Sequence, residues 1–451
     1  MKPYKLSATK AIEQIKKGLL TATELAKSCI EQTEMMENKI HAWSIFNKQE
    51  FLMQAKSIDK QITNGTFKGC LYGIPVGIKD IYNTKYFPTE MGSPIWKDFT
   101  PGNDSRVVFY IKQEGGIVPG KTVTAEFAVH HPGPTVNPHN FKHTPGTSSS
   151  GSAAAVAASM IPVSIGSQTA GSSIRPASYC GIYGYKPTFG LIPRTGVLKT
   201  VDVLDHVTTF GRTIEDIELM FDVMRVKGDN FPYVHSILEN ERKQNKTGPW
   251  KIAFVKTHLW EKWEKYAKES IQDYVSKLSK LKDITIEEVE LPKEFKLSHK
   301  IHKTIYNKAL SYYYNEEYNN SKEMLSNVFK SMIEDGMKIS KDEYTNALKE
   351  QVQLSDLMDS FFSRYDGIIT LSTAGSAKKG LDSVDTIDSC LIWTLCGVPS
   401  INIPVFTCPK GLPYGAQIVF RKYRDYSLFS FLHQLKKNNL INDVSYDLLT
   451  N

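Results

Sequence analysis

What the chain lacks narrows it first. Its six cysteines, Cys29, Cys70, Cys180, Cys390, Cys396 and Cys408, contain no C-x-x-C pair. That excludes a dithiol redox motif and the common zinc patterns, and leaves buried reduced thiols as the expectation. His130, His131, His139, His143 and His206 sit among prolines and loop residues without a helical metal-binding pair, so they read as polar loop contacts and no metal or cofactor is expected. No run of about 18 apolar residues occurs, and Met1 to Lys10 has no apolar core of the kind a signal peptide carries. The expectation is a cytoplasmic chain that does not enter a membrane. Internal repeats and low-complexity tails are missing too. The formal net charge of +7 comes from lysines scattered among acids, largely between Glu239 and Lys300. This reads as a solvated face, so no nucleic-acid partner is expected.

What is present is an ordinary globular composition, 41% hydrophobic and 23% charged over 451 residues, enough for one large or two medium domains. The segment Thr144 to Arg194, TPGTSSSGSAAAVAASMIPVSIGSQTAGSSIRPASYCGIYGYKPTFGLIPR, stands apart from any ordinary core segment. A Gly/Ser cluster precedes a predicted helix at Ala153–Met160, and a second cluster follows a predicted strand at Ile161–Ile165. Two loops can then lie side by side, each presenting serine hydroxyls beside open backbone N–H groups. Acyl transfer needs this combination: a serine that loses its proton as it attacks a carbonyl, and donors fixed in advance around the oxygen that becomes negative. In GSQTAGSS the small side chains of Ala170 and Gly171 leave the main chain uncovered. The N–H groups of Thr169, Ala170, Gly171 and Ser172 can converge on one oxyanion.

A competing motif lies upstream. Gly115 to Thr122, GGIVPGKT, formally satisfies the phosphate-loop pattern G-x-x-x-x-G-K-[ST]. A phosphate loop needs a strand before it and a helix after it. Here Ser105 to Glu114 reads as an amphipathic helix, Ile117-Val118 itself reads as the strand, and Pro119 removes an N–H from the would-be cradle. Nucleotide binding is not expected.

The Gly/Ser stretch closely resembles the signature of the amidase signature hydrolases, and the resemblance continues in order along roughly two thirds of the chain. LYGIPVGIKD (Leu71–Asp80) is similar to the strand carrying that family's catalytic lysine. GGIVPGKTVTAEFA, GPTVNPHN, LDHVTTFGRTIEDIELMFDVM, TLCGVPSINIPV and GLPYGAQIV follow in the family's order. The resemblance implies Lys79 as general base, Ser148 as the serine reached through a cis peptide bond from Thr147, and Ser172 as nucleophile, 24 residues beyond Ser148. Ser148, Ser149 and Ser150 adjoin one another, as do Ser172 and Ser173; register with Gly146 and Gly171 favours Ser148 and Ser172. Ser149 and Ser152 are then expected to bond the loop backbone. A lysine works as a base near neutral pH only when its pKa is pushed down from about 10.4, and the apolar run Ile74–Ile78 makes burial of Lys79 the expected cause. Departures exist: Gly146-Thr147 stands for a Gly-Gly pair, Gln168 for an aspartate, and Arg175 sits one place later, as in a small-amide subgroup.

Periodicity alone indicates α/β: helices over 8–62, alternating strands and helices over 71–225, and strands at Lys251–Val255, Gly367–Leu371, Ser400–Val405 and Ala416–Phe420. The resemblance implies a single mixed β-sheet sandwiched between helices. One amidase domain over 1–451 is expected, with N-terminal helices (1–65), the signature core (66–225), a variable helical region (240–362) and the C-terminal part of the core (363–451). In the family the helical region walls the acyl side of the pocket; here it holds Tyr306, Tyr312, Tyr313, Tyr314 and Tyr318, which with Trp393 and Met91 are candidate lining residues. The expected activity is hydrolysis of a small-molecule carboxamide through a Ser172 acyl-enzyme, with a homodimer left open. Two alternatives remain: the glutaminase subunit of a tRNA-dependent amidotransferase, whose asparagine is replaced by Thr394 and whose aspartate by Gln168, and a binding protein without chemistry.

Overall fold

Short apolar strands bounded by glycines assemble into one mixed sheet flanked by helices, described by the computed structural model over residues 2–244, 246–381, 387–446 and 448. The strands are β1 (Trp43–Phe46), β2 (Val76–Lys79), β3 (Gly120–Thr122), β4 (Val163–Gln168), β5 (Tyr183–Lys186), β6 (His206–Gly211), β7 (Trp250–Val255), β8 (Ile284–Val289), β9 (Gly367–Leu371), β10 (Ser400–Thr407) and β11 (Pro413–Phe420). They lie in the order β1-β3-β2-β4-β6-β5-β10-β11-β9-β7-β8. β2 runs parallel to both β3 and β4, whereas β4, β6, β5, β10, β11 and β9 pair antiparallel in succession. Residues of β2, β4 and β6 are buried throughout, as expected for strands covered on both faces.

The Thr21-x-x-Glu24 capping box opens the helix Ala22–Ile40, with both reciprocal bonds made. Two boundaries differ from the sequence expectation. The signature helix spans Ser150–Ala157 rather than Ala153–Met160, and its strand spans 163–168 rather than 161–165. Tertiary contact sets the earlier start: Gly151 N–H donates to Val123 O at 3.1 Å, and a Cβ at Gly151 would stand 2.2 Å from Ala42 O. Only a residue without a side chain lets the helix approach β3 so closely. Likewise Ile117 makes only an isolated bridge to Pro75, and the strand of that region is Gly120–Thr122. Its Lys121 is buried, with Nζ 2.9 Å from Asp80 Oδ1 and 2.8 Å from Thr89 Oγ1. The phosphate-loop lysine is therefore engaged inside the core.

The middle helices pack on the core through a second apolar cluster, in which Phe127 stacks on Phe329 at 5.0 Å and meets Tyr314 at 4.8 Å. Among the described residues, no helix is long and apolar enough to cross a membrane.

Candidate active site

Two features bring the serine clusters together. β4 ends at Gln168 and feeds the turn 169–173, while the helix Ser150–Ala157 begins beside it after the cis peptide bond Thr147–Ser148. A Cβ at Gly166 would stand 2.8 Å from Ser149 Oγ, so the strand and the first loop touch there. Ser149 N–H donates to Ser172 O at 3.2 Å, and Ser149 Oγ donates to Ser167 O at 3.2 Å. Ser149 thus stitches the two loops, and Ser152 Oγ donates to Ile165 O at 2.9 Å.

Lys79 closes β2, fully buried, its Nζ 2.8 Å from Ser148 Oγ and 2.8 Å from Ser167 Oγ. Burial holds its pKa well below the usual lysine value, and the nearby Asp205 carboxylate offsets only part of that. The neutral amine can accept the Ser148 proton while donating to Ser167. Asp205 is itself raised to about 6 by burial, against bonds from Thr169 Oγ1 and from the N–H groups of Thr200 and Val201.

Ser172 is 8% exposed, and among the described residues its hydroxyl makes no hydrogen bond. Its carbonyl accepts from the N–H of Ser149, the residue next to Ser148 in the chain. Also among the described residues, the N–H groups of Ala170, Gly171 and Ser172 donate to no protein acceptor. Thr169, the fourth expected donor, turns its hydroxyl to Asp205 and its carbonyl to His302. Gln168 Oε1 accepts from Ser173 and Ile174 N–H at 2.9 Å each, satisfying the start of the helix Ile174–Cys180.

A cavity of about 620 Å³ opens beside this turn. Ala170, Arg175, Asp388, His130, His302 and Tyr306 are among the residues that line it. Arg175 Nη2 is ion-paired with Asp388 Oδ2. Burial works against the Asp388 charge, but Arg175 and the N–H groups of Cys390 and Leu391 prevail and hold its carboxyl below the usual range. A Cβ at Gly171 would stand 2.7 Å from Asp388 Oδ1 and 2.9 Å from Arg175 Nη2, so a side chain there would displace this ion pair. Burial pushes both His130 and His302 down to about 4, so both are neutral near pH 7.

The structure brings Lys79, Ser148 and the turn Thr169–Ser172 to one place. Of the candidate lining residues, Tyr306 faces the cavity, while Tyr314 is buried and donates to Lys199 O, and Tyr312 is exposed. Ser167, His302 and the Arg175–Asp388 pair were not singled out from sequence as site residues. Ser167 carried a signal in its place at the end of β4; His302 and Asp388 had none, lying 133 residues beyond Thr169 and 213 beyond Arg175. Among the described residues, no group of three or more histidines, cysteines or acids could hold a metal.

The family model described as amidase matches residues 24–429. A subunit of the glutamyl-tRNA(Gln) amidotransferase of Carboxydothermus hydrogenoformans is 30% identical, the match covering 97% of this chain and 98% of that protein. The solved structure of 6-aminohexanoate cyclic dimer hydrolase superposes with a TM-score of 0.85 at 20% identity, covering all of both chains. The peptide amidase of Stenotrophomonas maltophilia gives 0.83 at 21%, covering 98% of each. One expectation is corrected. A small-molecule amide substrate with no nucleic-acid partner does not agree with relatives that are subunits of an amidotransferase of glutamyl-tRNA(Gln). The physical reason is that a site cleaving an amide bond is built alike whether the ammonia it releases escapes to solvent or passes to a partner.

Proposed function

Because the chain belongs to the amidase family and its site hydrolyses amide C–N bonds, we propose that it releases ammonia from glutamine through a Ser172 acyl-enzyme, as the glutaminase subunit of a tRNA-dependent amidotransferase. The observation that carries the chemistry is the buried Lys79 amine 2.8 Å from Ser148 Oγ. Ser172 Oγ attacks the carboxamide carbon and passes its proton to Ser148, whose own proton moves to Lys79. The oxygen that gains charge is held by the N–H groups of the turn 170–172. The C–N bond breaks as the proton returns through Ser148 to the leaving nitrogen, giving ammonia and an ester on Ser172. Water then attacks the ester, with Ser148 relaying protons in the same way.

The assignment to glutamine is supported by resemblance along nearly the whole chain to the amidotransferase subunits. It is also supported by the paired charges of Arg175 and Asp388 in the cavity, which present one cation and one anion to an α-amino acid head group. The departures at Gln168 and Thr394 are not two separate objections. Gln168 Nε2 donates to Thr394 Oγ1 at 3.0 Å, so the two residues meet and can differ from the relatives as a matched pair.

Ammonia release from glutamine and from a panel of aliphatic, aryl and ureido amides, compared between wild type isolated with its bound partners and Ser172→Ala, tests both levels. Glutamine turnover that vanishes in the variant is expected. Turnover of another amide with none of glutamine would reject the glutaminase assignment, and activity retained in Ser172→Ala would reject the nucleophile.

A further inference from the structure

Each peptide of the turn at Ser172 is anchored through its carbonyl. Thr169 O accepts from His302 Nε2 at 2.9 Å, and Ala170 O from Thr394 Oγ1 at 2.6 Å. Gly171 O accepts from Arg175 N–H at 3.0 Å and Ser172 O from Ser149 N–H at 3.2 Å. In a planar trans peptide the N–H points opposite to the carbonyl. Holding the Thr169 carbonyl therefore aims Ala170 N–H, and holding the Ala170 carbonyl aims Gly171 N–H. Three of the anchors come from the signature core or the C-terminal part of the sheet region. His302 alone comes from the helix Ser298–Tyr313, which packs against the helix Asn327–Lys338 so closely that a Cβ at Gly336 would stand 1.9 Å from Asn307 O.

The His302 ring packs against Tyr306 of the same helix, at 5.3 Å between centroids, and lines the cavity. A carbonyl has no hydrogen to give, so Nε2 carries the proton and the neutral ring is locked in one tautomer. Burial, which pushes this ring down to about 4, keeps it a single donor at neutral pH.

We infer that His302 is a positioning residue for amide hydrolysis, acting through the Thr169 carbonyl to aim Ala170 N–H at the substrate oxygen. This rests on the Ser172 acyl-enzyme reading. It makes the packing of the middle helical region part of the rate of the chemical step as well as the wall of the pocket.

The test pairs His302→Met, which fills similar space without a donor, with His302→Gln, whose amide N–H reaches about as far as Nε2. On the amide the wild type turns over, His302→Met should lower kcat at least about tenfold with KM within about threefold, since a misplaced oxyanion donor is felt in the transition state. His302→Gln should recover most of that loss. A kcat within twofold of wild type for His302→Met, a loss confined to KM, or Gln no better than Met would overturn the inference. Should His302→Met fail to fold, His302→Asn replaces it, its donor one methylene short: kcat below that of Gln supports the role, and equal values overturn it. Ser172→Ala in the same assay separates the two levels. A fully active Ser172→Ala overturns both readings, whereas an inactive one beside an indifferent His302 set overturns this inference alone.

Discussion

At Lys79 the side chain is ordinary and the surroundings decide its charge. Its folded pKa lies well below 10.5, whereas an unfolded lysine titrates at about 10.4. Between those two values the unfolded chain holds a proton that the folded chain has released, so stability rises with pH across that window and levels off above it. Lys79→Met should lack that contribution and gain less stability than wild type in denaturant melts between pH 7 and pH 10. It should also lose activity by about 10³-fold, the range expected for removing a general base; near-normal turnover would reject the role. Asp205 supplies the opposite push on Lys79. Removing that anion lowers the lysine pKa further, so Asp205→Asn should shift the acidic limb of the pH–activity profile to lower pH, and a limb that stays in place would show the two groups to be uncoupled. Lys79, Ser148 and Ser172 stood out as candidates because each lies in a contiguous motif. His302 and Asp388 were not, since a lone histidine or aspartate in a helical or loop segment carries no pattern until folding sets it against its partner.

Among the elements, the join between core and middle helices borders the cavity. Glu126 is 4% exposed and accepts from Ser326 N–H at 3.1 Å and from the Ser326 hydroxyl, just where Ser326 caps the helix Asn327–Lys338. Asn327, Val328 and Met332 of that helix line the cavity. Glu126→Ala removes a buried acceptor at a helix start, worth ~1–2 kcal/mol. The expected result is a lower denaturant midpoint and a raised KM with a smaller change in kcat; unchanged binding would show that this helix does not shape the pocket. The strand at 367–371 was readable to the residue from its β-branched and apolar residues, and the capping box at Thr21 from its spacing. The start of the signature helix was not, because Ser150-Gly151-Ser152 has low helix propensity and becomes helical only against β3.

Across the whole molecule, the contact between Gln168 and Thr394 joins segments 226 residues apart and reaches the turn through Ala170 O. A double-mutant cycle with Gln168→Ala and Thr394→Val should give a coupling of ~1 kcal/mol in unfolding free energy, since both act in one network; additive losses would deny the network. At this scale sequence and structure divide the work. The sequence by itself determined the α/β class, the order of the motifs and which lysine and serines are candidates for acyl transfer, because strand alternation, glycine turns and the serine clusters are local patterns of neighbouring residues. Only the tertiary structure decided that Lys79 is buried against Ser148 and Ser167, that Arg175 faces Asp388, and that His302 holds Thr169. Charge state and aim are set by atoms that become neighbours only when the eleven strands of the described residues, drawn from both halves of the chain, pair into one sheet.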